Sequence, residues 1–169
     1  RTSYNAKEKL MVIVGIDPGV TTGWVVADYT EGIPCIIEYG QETFEGYLEA
    51  CEFITCRLLP KADVIVLERF DLRPHNKFIA DLSPVEINSV IQFWNRFCNP
   101  KPALVHLTTP AQHKALVTNE VLKRLGWYIM PRQVQQKDAN DVRDAFRLLT
   151  HHLVEREHDK EFTLVGWPR

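Results

Sequence analysis

The sequence predicts a single α/β domain: a five-stranded mixed sheet with helices on both faces. Three observations lead there. The N-terminal part holds three short apolar runs rich in β-branched residues, separated by turn residues. Beyond it, strand-like runs alternate with segments of helical periodicity, the order that places helices over a sheet. The chain also has 169 residues, 45% of them hydrophobic, enough for one buried core and too apolar for disorder. The core is expected over about residues 10–155, with a tail at 157–169.

The elements follow in order. Leu10 to Ile16 reads as a buried strand, ended by the turn residues Asp17-Pro18-Gly19. Trp24 to Tyr29 and Ile33 to Tyr39 read as two further strands, with Gly32 and Pro34 at the bend between them. Phe44, Tyr47, Leu48, Cys51, Ile54 and Leu58 recur at helical spacing, and Pro60 closes that helix. Val64 to Leu67 is a fourth strand, followed by a polar loop over 71–83. Ser83-Pro84 predicts a helix start, with Ser83 as N-cap and Pro84 in the first position, running to about Phe97. Ala103 to Leu107 is the fifth strand. Thr109-Pro110 opens a short helix, and Asn119 opens another that ends near Gly126. Residues 139–156 form a long helix with an apolar stripe of Val142, Ala145, Phe146, Leu149 and Leu153, which Asp138 is expected to cap.

Composition narrows the function classes. A formal net charge of −2 and a pI near 6.3 weigh against a simple nucleic-acid binder, which usually carries excess positive charge. Carboxylates that bind cations can hide such a function in the global sum, because a bound metal reverses their local sign. Cys35, Cys51, Cys56 and Cys98 form no C-x-x-C pair, so neither a zinc site nor a redox motif is indicated. Free, buried thiols in a reducing cytoplasm are expected. No apolar run approaches the roughly 18 residues of a membrane span, and the polar start over residues 1–9 shows no signal peptide.

Four acidic residues stand at element ends. Asp17 follows the first strand and Glu68 the fourth, while Asp141 and Asp144 share one face of the last helix. Each has an ordinary explanation alone: a turn residue, a solvated strand end, an acidic pair facing a helix dipole. Together they offer oxygen donors from separate rigid elements. Such a cluster repels itself unless cations fill it, and Mg²⁺ or Mn²⁺ prefer oxygen ligands. Two such ions, about 4 Å apart, suit the hydrolysis of a phosphodiester.

The motif residues carry a resemblance. Val14-Gly15-Ile16-Asp17-Pro18-Gly19-Val20-Thr21-Thr22-Gly23 resembles the opening strand and turn of the RuvC family of Holliday-junction resolvases, which have the ribonuclease H-like fold. Val64-Ile65-Val66-Leu67-Glu68 is similar to the strand carrying that family's second acid. Asp141-Val142-Arg143-Asp144-Ala145 looks like its terminal acidic helix. The resemblance spans about residues 11–153. It implies a metal-dependent endodeoxyribonuclease in which Asp17, Glu68, Asp141 and Asp144 bind two Mg²⁺ (or Mn²⁺) ions and carry catalysis. It also implies a homodimer that nicks branched DNA symmetrically. Thr109-Pro110-Ala111-Gln112-His113-Lys114 resembles a segment that bears basic residues in the family, which makes Lys114 a candidate for DNA contact.

The family also carries a junction-wedging aromatic after the second acid. Here Phe70 lies close to that place, though not at the usual spacing, and Phe78 is a rival; either could equally be a packing residue. Arg69, Arg73, His75 and Lys77 make the same loop basic, as phosphate contact requires. The region between Asp17 and Glu68 and the tail depart from the family pattern and suggest a bacteriophage branch, acting in the host bacterial cytoplasm. His151, beyond Asp144 on the same helix, is a candidate for support near the metals.

Other functions compete. Asp17 to Thr22 is also similar to the first phosphate turn of actin-like sugar kinases, but the chain has eight glycines and no second Gly-rich phosphate loop. Within the nuclease class, a flap, RNA–DNA hybrid or DNA-packaging enzyme remains open. No P-loop motif for a packaging ATPase occurs, and no nucleotide cofactor is expected. A non-catalytic DNA-binding scaffold would have no use for all four acids.

Overall fold

A computed structural model of the chain describes residues 11–30, 32–70 and 82–157. Five strands form one sheet: β1 (Val12–Asp17), β2 (Thr21–Asp28), β3 (Cys35–Thr43), β4 (Val64–Glu68) and β5 (Leu104–Thr108). Their spatial order is β3-β2-β1-β4-β5. The first three form an antiparallel meander, while β4 and β5 add in parallel to β1. The mixed sheet is therefore the one the sequence predicts.

Helices cover both faces. On one, α1 (Tyr47–Phe53) and α2 (Ser83–Phe97) close over Val12, Val14, Ile16, Trp24, Ile65 and Leu67. On the other, α6 (Asn140–Glu155) lays Val142, Ala145, Phe146, Leu149 and Leu153 against Ile13, Val25, Ala27, Val64 and Val66. Cover on both sides explains why β1 reads as a continuous apolar run rather than an alternating one. Each large side chain in the α6 stripe contributes about 1.5–3 kcal/mol on burial, so this helix is firmly anchored along its length. Three short helices, α3 (Pro110–Leu116), α4 (Asn119–Arg124) and α5 (Pro131–Val134), link β5 to α6.

Several local expectations are revised. The segment after α1 widens into a π-turn over Ile54–Leu58 and a 3₁₀ turn over Leu59–Lys61 as it meets Pro60, which has no N–H to continue a regular helix. Leu82, not Ser83, is the N-cap of α2; its carbonyl accepts from Val85 and Glu86. Four residues are too few to show a period, so α5 leaves no trace in the sequence pattern. Of the cysteines, Cys51 is buried, but Cys35, on the sheet-edge strand β3, is exposed, as are Cys56 and Cys98. All four are free thiols. Among the described residues, no helix is long and apolar enough to cross a membrane.

Candidate active site

Asp17 and Glu68 end two parallel neighbouring strands whose preceding residues, Ile16 and Leu67, are paired. Their carboxylates therefore emerge side by side. Strand alternation puts both on the face of Ile13, Val64 and Val66, which α6 covers. The helix brings Asp144 to the same place. Oxygens of Asp17, Glu68 and Asp144 all lie within 4.8 Å of one another. Asp141, one turn earlier on α6, stands outside that trio. It lines the same cavity, of about 370 Å³, together with Asp17, Glu68, Phe70 and the turn Pro18–Thr21. Just after that turn, the buried Thr22 hydroxyl on β2 donates back to the Gly19 carbonyl at 2.6 Å.

Charge is concentrated here. Burial, then the charges of Glu68, Asp144 and Asp141, hold the Asp17 carboxyl well above the usual range, against an opposing pull from Lys114. Burial, then Asp138 and Asp144, push Asp141 up to about 6, opposed by Lys114 and a backbone hydrogen bond. Partial burial works against a charged Lys114. The hydrogen bond to Asp144 and the charges of Asp144, Glu68 and Asp17 outweigh it and hold the ammonium above its ordinary range. Lys114 Nζ is 2.7 Å from Asp144 Oδ2 and 4.0 Å from Glu68 Oε2. The other oxygen of Asp144 accepts from Arg147, whose guanidinium also donates to Asn119 Oδ1 and, at 3.0 Å, to the Val117 carbonyl.

This donor set fits a hard divalent cation. It is all oxygen, comes from two strands and a helix, and includes the half-buried Asp17, whose carboxyl is held up first by burial and then by its acidic neighbours. An ion there would share Asp144 with Lys114 and Arg147.

The structure brings together the candidate residues Asp17, Glu68, Asp144 and Lys114, and Asp17, Glu68, Asp141 and Phe70 line the cavity beside them. Arg69 is exposed, and its backbone N–H donates to the Thr108 carbonyl at 2.7 Å. Arg73, His75, Lys77 and Phe78 lie outside the described residues, as does the tail beyond Glu157. His151 lines a separate small cavity with His106, His152 and Arg156, whose lining includes none of the four acids.

Three contributors were missed. His113, fully buried, places Nε2 2.7 Å from Glu68 Oε2. Asn88 on α2 donates to the Glu68 carbonyl at 2.9 Å, fixing its backbone. Arg147 follows Asp144 by three residues, a spacing in the sequence that puts the two side chains side by side on one helix face. For His113 the available signal was its place directly before Lys114.

Comparison with solved structures supports the fold independently. The structure is similar to RuvC of T. thermophilus in complex with a Holliday-junction substrate, with a TM-score of 0.56 and 18% identity, covering 88% of this chain and 97% of that one. It is also similar to the Fowlpox virus resolvase in complex with substrate Holliday-junction DNA, with a TM-score of 0.55 and 14% identity, covering 85% and 97%. At these identities the likeness speaks for the fold, which is ribonuclease H-like. No family model matches the sequence, and no curated protein does.

Proposed function

We propose that the chain is a metal-dependent endonuclease that cleaves branched DNA such as Holliday junctions. The observation that carries this is the trio Asp17, Glu68 and Asp144, with oxygens within 4.8 Å, beside an open cavity on a fold shared with two resolvases. Asp17, Glu68 and Asp144 would hold one Mg²⁺ or Mn²⁺, and Asp141 would complete a second position beside Asp17. When bound, such ions activate water and stabilise the departing oxygen of a phosphodiester.

The chain's own residues supply the rest. Asp17 and Glu68 are held at strand ends, so the site is rigid before substrate arrives. Lys114 offsets acidic charge and stands ready to contact a phosphate oxygen. Phe70, on the cavity wall, is positioned to meet an unstacked base where a junction opens. Arg69, Arg73 and Lys77 are assigned to backbone phosphates.

A homodimer fits the two-fold symmetry of a four-way junction. Its candidate surface is on α2, where Phe93 and Phe97 are 60% and 67% exposed with ring centroids 5.0 Å apart. We place the protein in the cytoplasm, as a single nuclease domain.

The test is cleavage of a labelled four-way junction, a flap, a linear duplex and an RNA–DNA hybrid, with Mg²⁺ or Mn²⁺. Paired symmetric nicks on the junction are expected. Preference for the flap or hybrid would move the protein to another nuclease class of the same fold.

A further inference from the structure

We propose that Gln41 and Gly23 are positioning residues: together they seat the first turn of α6 and so set where Asp141 stands relative to Asp17. The inference rests on the metal-site reading above and adds two residues to it.

The first N–H groups of a helix have no acceptor within the helix, and a side chain at the N-cap normally serves them. In α6 the N-cap is Ala139, buried and with no side-chain acceptor. Asp138, the residue expected to cap, does so from one position earlier, its Oδ1 accepting from Asn140 N–H at 3.1 Å. The Val142 N–H is served from the sheet. It donates to Gln41 Oε1 at 3.1 Å, across 101 residues of sequence. The Nε2 of the same amide donates to the Asp138 carbonyl at 3.3 Å and to Asp138 Oδ1 at 3.4 Å. Gln41 is 6% exposed, so one buried amide grips both sides of the turn that carries Asp141.

Strand register aligns the parts. Gln41 pairs with Gly23 across β3 and β2, and Gly23 pairs with Asp17 across β2 and β1. The three residues form a row beneath the start of α6. At Gly23, a Cβ would lie 2.1 Å from the Asp141 carbonyl carbon, 2.2 Å from its oxygen and 2.4 Å from Val142 N. Ordinary contact begins near 3.4 Å, so even alanine would lift the turn by roughly 1 Å. The missing side chain lets the helix backbone rest on the sheet, and the amide next to it locks the height and register. Farther along, the apolar stripe of α6 keeps the helix docked whether or not its first turn is seated. Placement of the carboxylate and retention of the fold are therefore separable.

The experiment uses the full chain as wild type, Gln41→Ala, Gly23→Ala and Thr55→Ala. Thr55 is a buried hydroxyl on the opposite face, bonded to the Cys51 carbonyl at 2.8 Å, and serves as the stability control. Three quantities are measured without DNA: Mn²⁺ affinity, exchange of the Val142 amide, and melting temperature. Gln41→Ala should weaken Mn²⁺ binding about tenfold, the order seen when groups that orient metal ligands are removed. It should also speed Val142 exchange while strand amides stay protected. Thr55→Ala should lower the melting temperature without moving Mn²⁺ affinity. Gly23→Ala should weaken Mn²⁺ binding at least as much; if it does not fold, Gln41→Ala decides. Unchanged Mn²⁺ affinity in Gln41→Ala, with wild type binding normally, would overturn the proposal and leave the metal site standing. If wild type binds no Mn²⁺, the metal site fails and takes the proposal with it.

Discussion

His113 Nε2 meets Glu68 Oε2 at 2.7 Å, from a ring with no exposed surface. A buried imidazole bonded to one carboxylate oxygen fixes the rotation of that carboxylate and leaves its other oxygen for a ligand. His113→Ala should reduce cleavage about 10–100-fold and weaken Mn²⁺ binding to a similar degree. Calorimetric titration of the DNA-free protein, set beside turnover, checks both. Loss of stability with unchanged metal affinity would show that the ring only fills space.

The acid cluster should cost the metal-free protein stability at neutral pH. The Asp141 carboxyl is pushed up to about 6 from an ordinary value of 3.8. The folded state therefore holds its proton more tightly than the unfolded chain does. That contribution is fully present below about 3.8 and is lost as pH rises through about 6. The Asp17 shift has the same sign. In a chelator at pH 7–8, Asp17→Asn and Asp141→Asn should each melt above wild type, and the gap should close at pH 4 and on adding Mn²⁺. Melting curves at both pH values decide it; variants that melt below wild type at pH 7–8 would contradict the charge assignment.

Phe70 lies on the wall of the cavity that Asp17 and Glu68 open into. Phe70→Ala should impair binding and opening of a four-way junction more than binding of a linear duplex. Fluorescence of 2-aminopurine at the junction centre, read beside duplex affinity, distinguishes the two. An equal loss on both substrates would reject a wedging role.

The α2 aromatics should matter for assembly. Phe93→Asp with Phe97→Asp should shift the protein from dimer to monomer in sedimentation, with little change in melting temperature, because both rings are mostly exposed. A wild-type monomer would reject the dimer, and a dimeric double variant would move the interface elsewhere.

The acids were legible in the sequence because each stands where a strand ends or a helix begins, and a parallel β1–β4 pair brings strand ends together. The helix start at Thr109-Pro110 was legible too, and the structure adds what closes it: a capping box in which the Thr109 hydroxyl accepts from Gln112 N–H and the Gln112 side chain accepts from Thr109 N–H. The roles of Gln41, Gly23 and His113 were not legible, because each acts on a residue far away in sequence, even though Gly23 and His113 sit within motif segments. Gly23 looked like the end of a turn motif; its role appears once α6 is laid over it. Capping was a partial guide for α6: Asp138 serves Asn140 from one position before the N-cap, while a strand supplies the acceptor for Val142 that Ala139 lacks.

The most direct measurement compares wild type, Glu68→Gln and Asp144→Asn on one labelled four-way junction with Mg²⁺, with junction binding measured in a chelator. The account predicts paired symmetric nicks by wild type and none by either variant, with binding retained or tightened as phosphate repulsion is relieved. Full cleavage by both variants would contradict it.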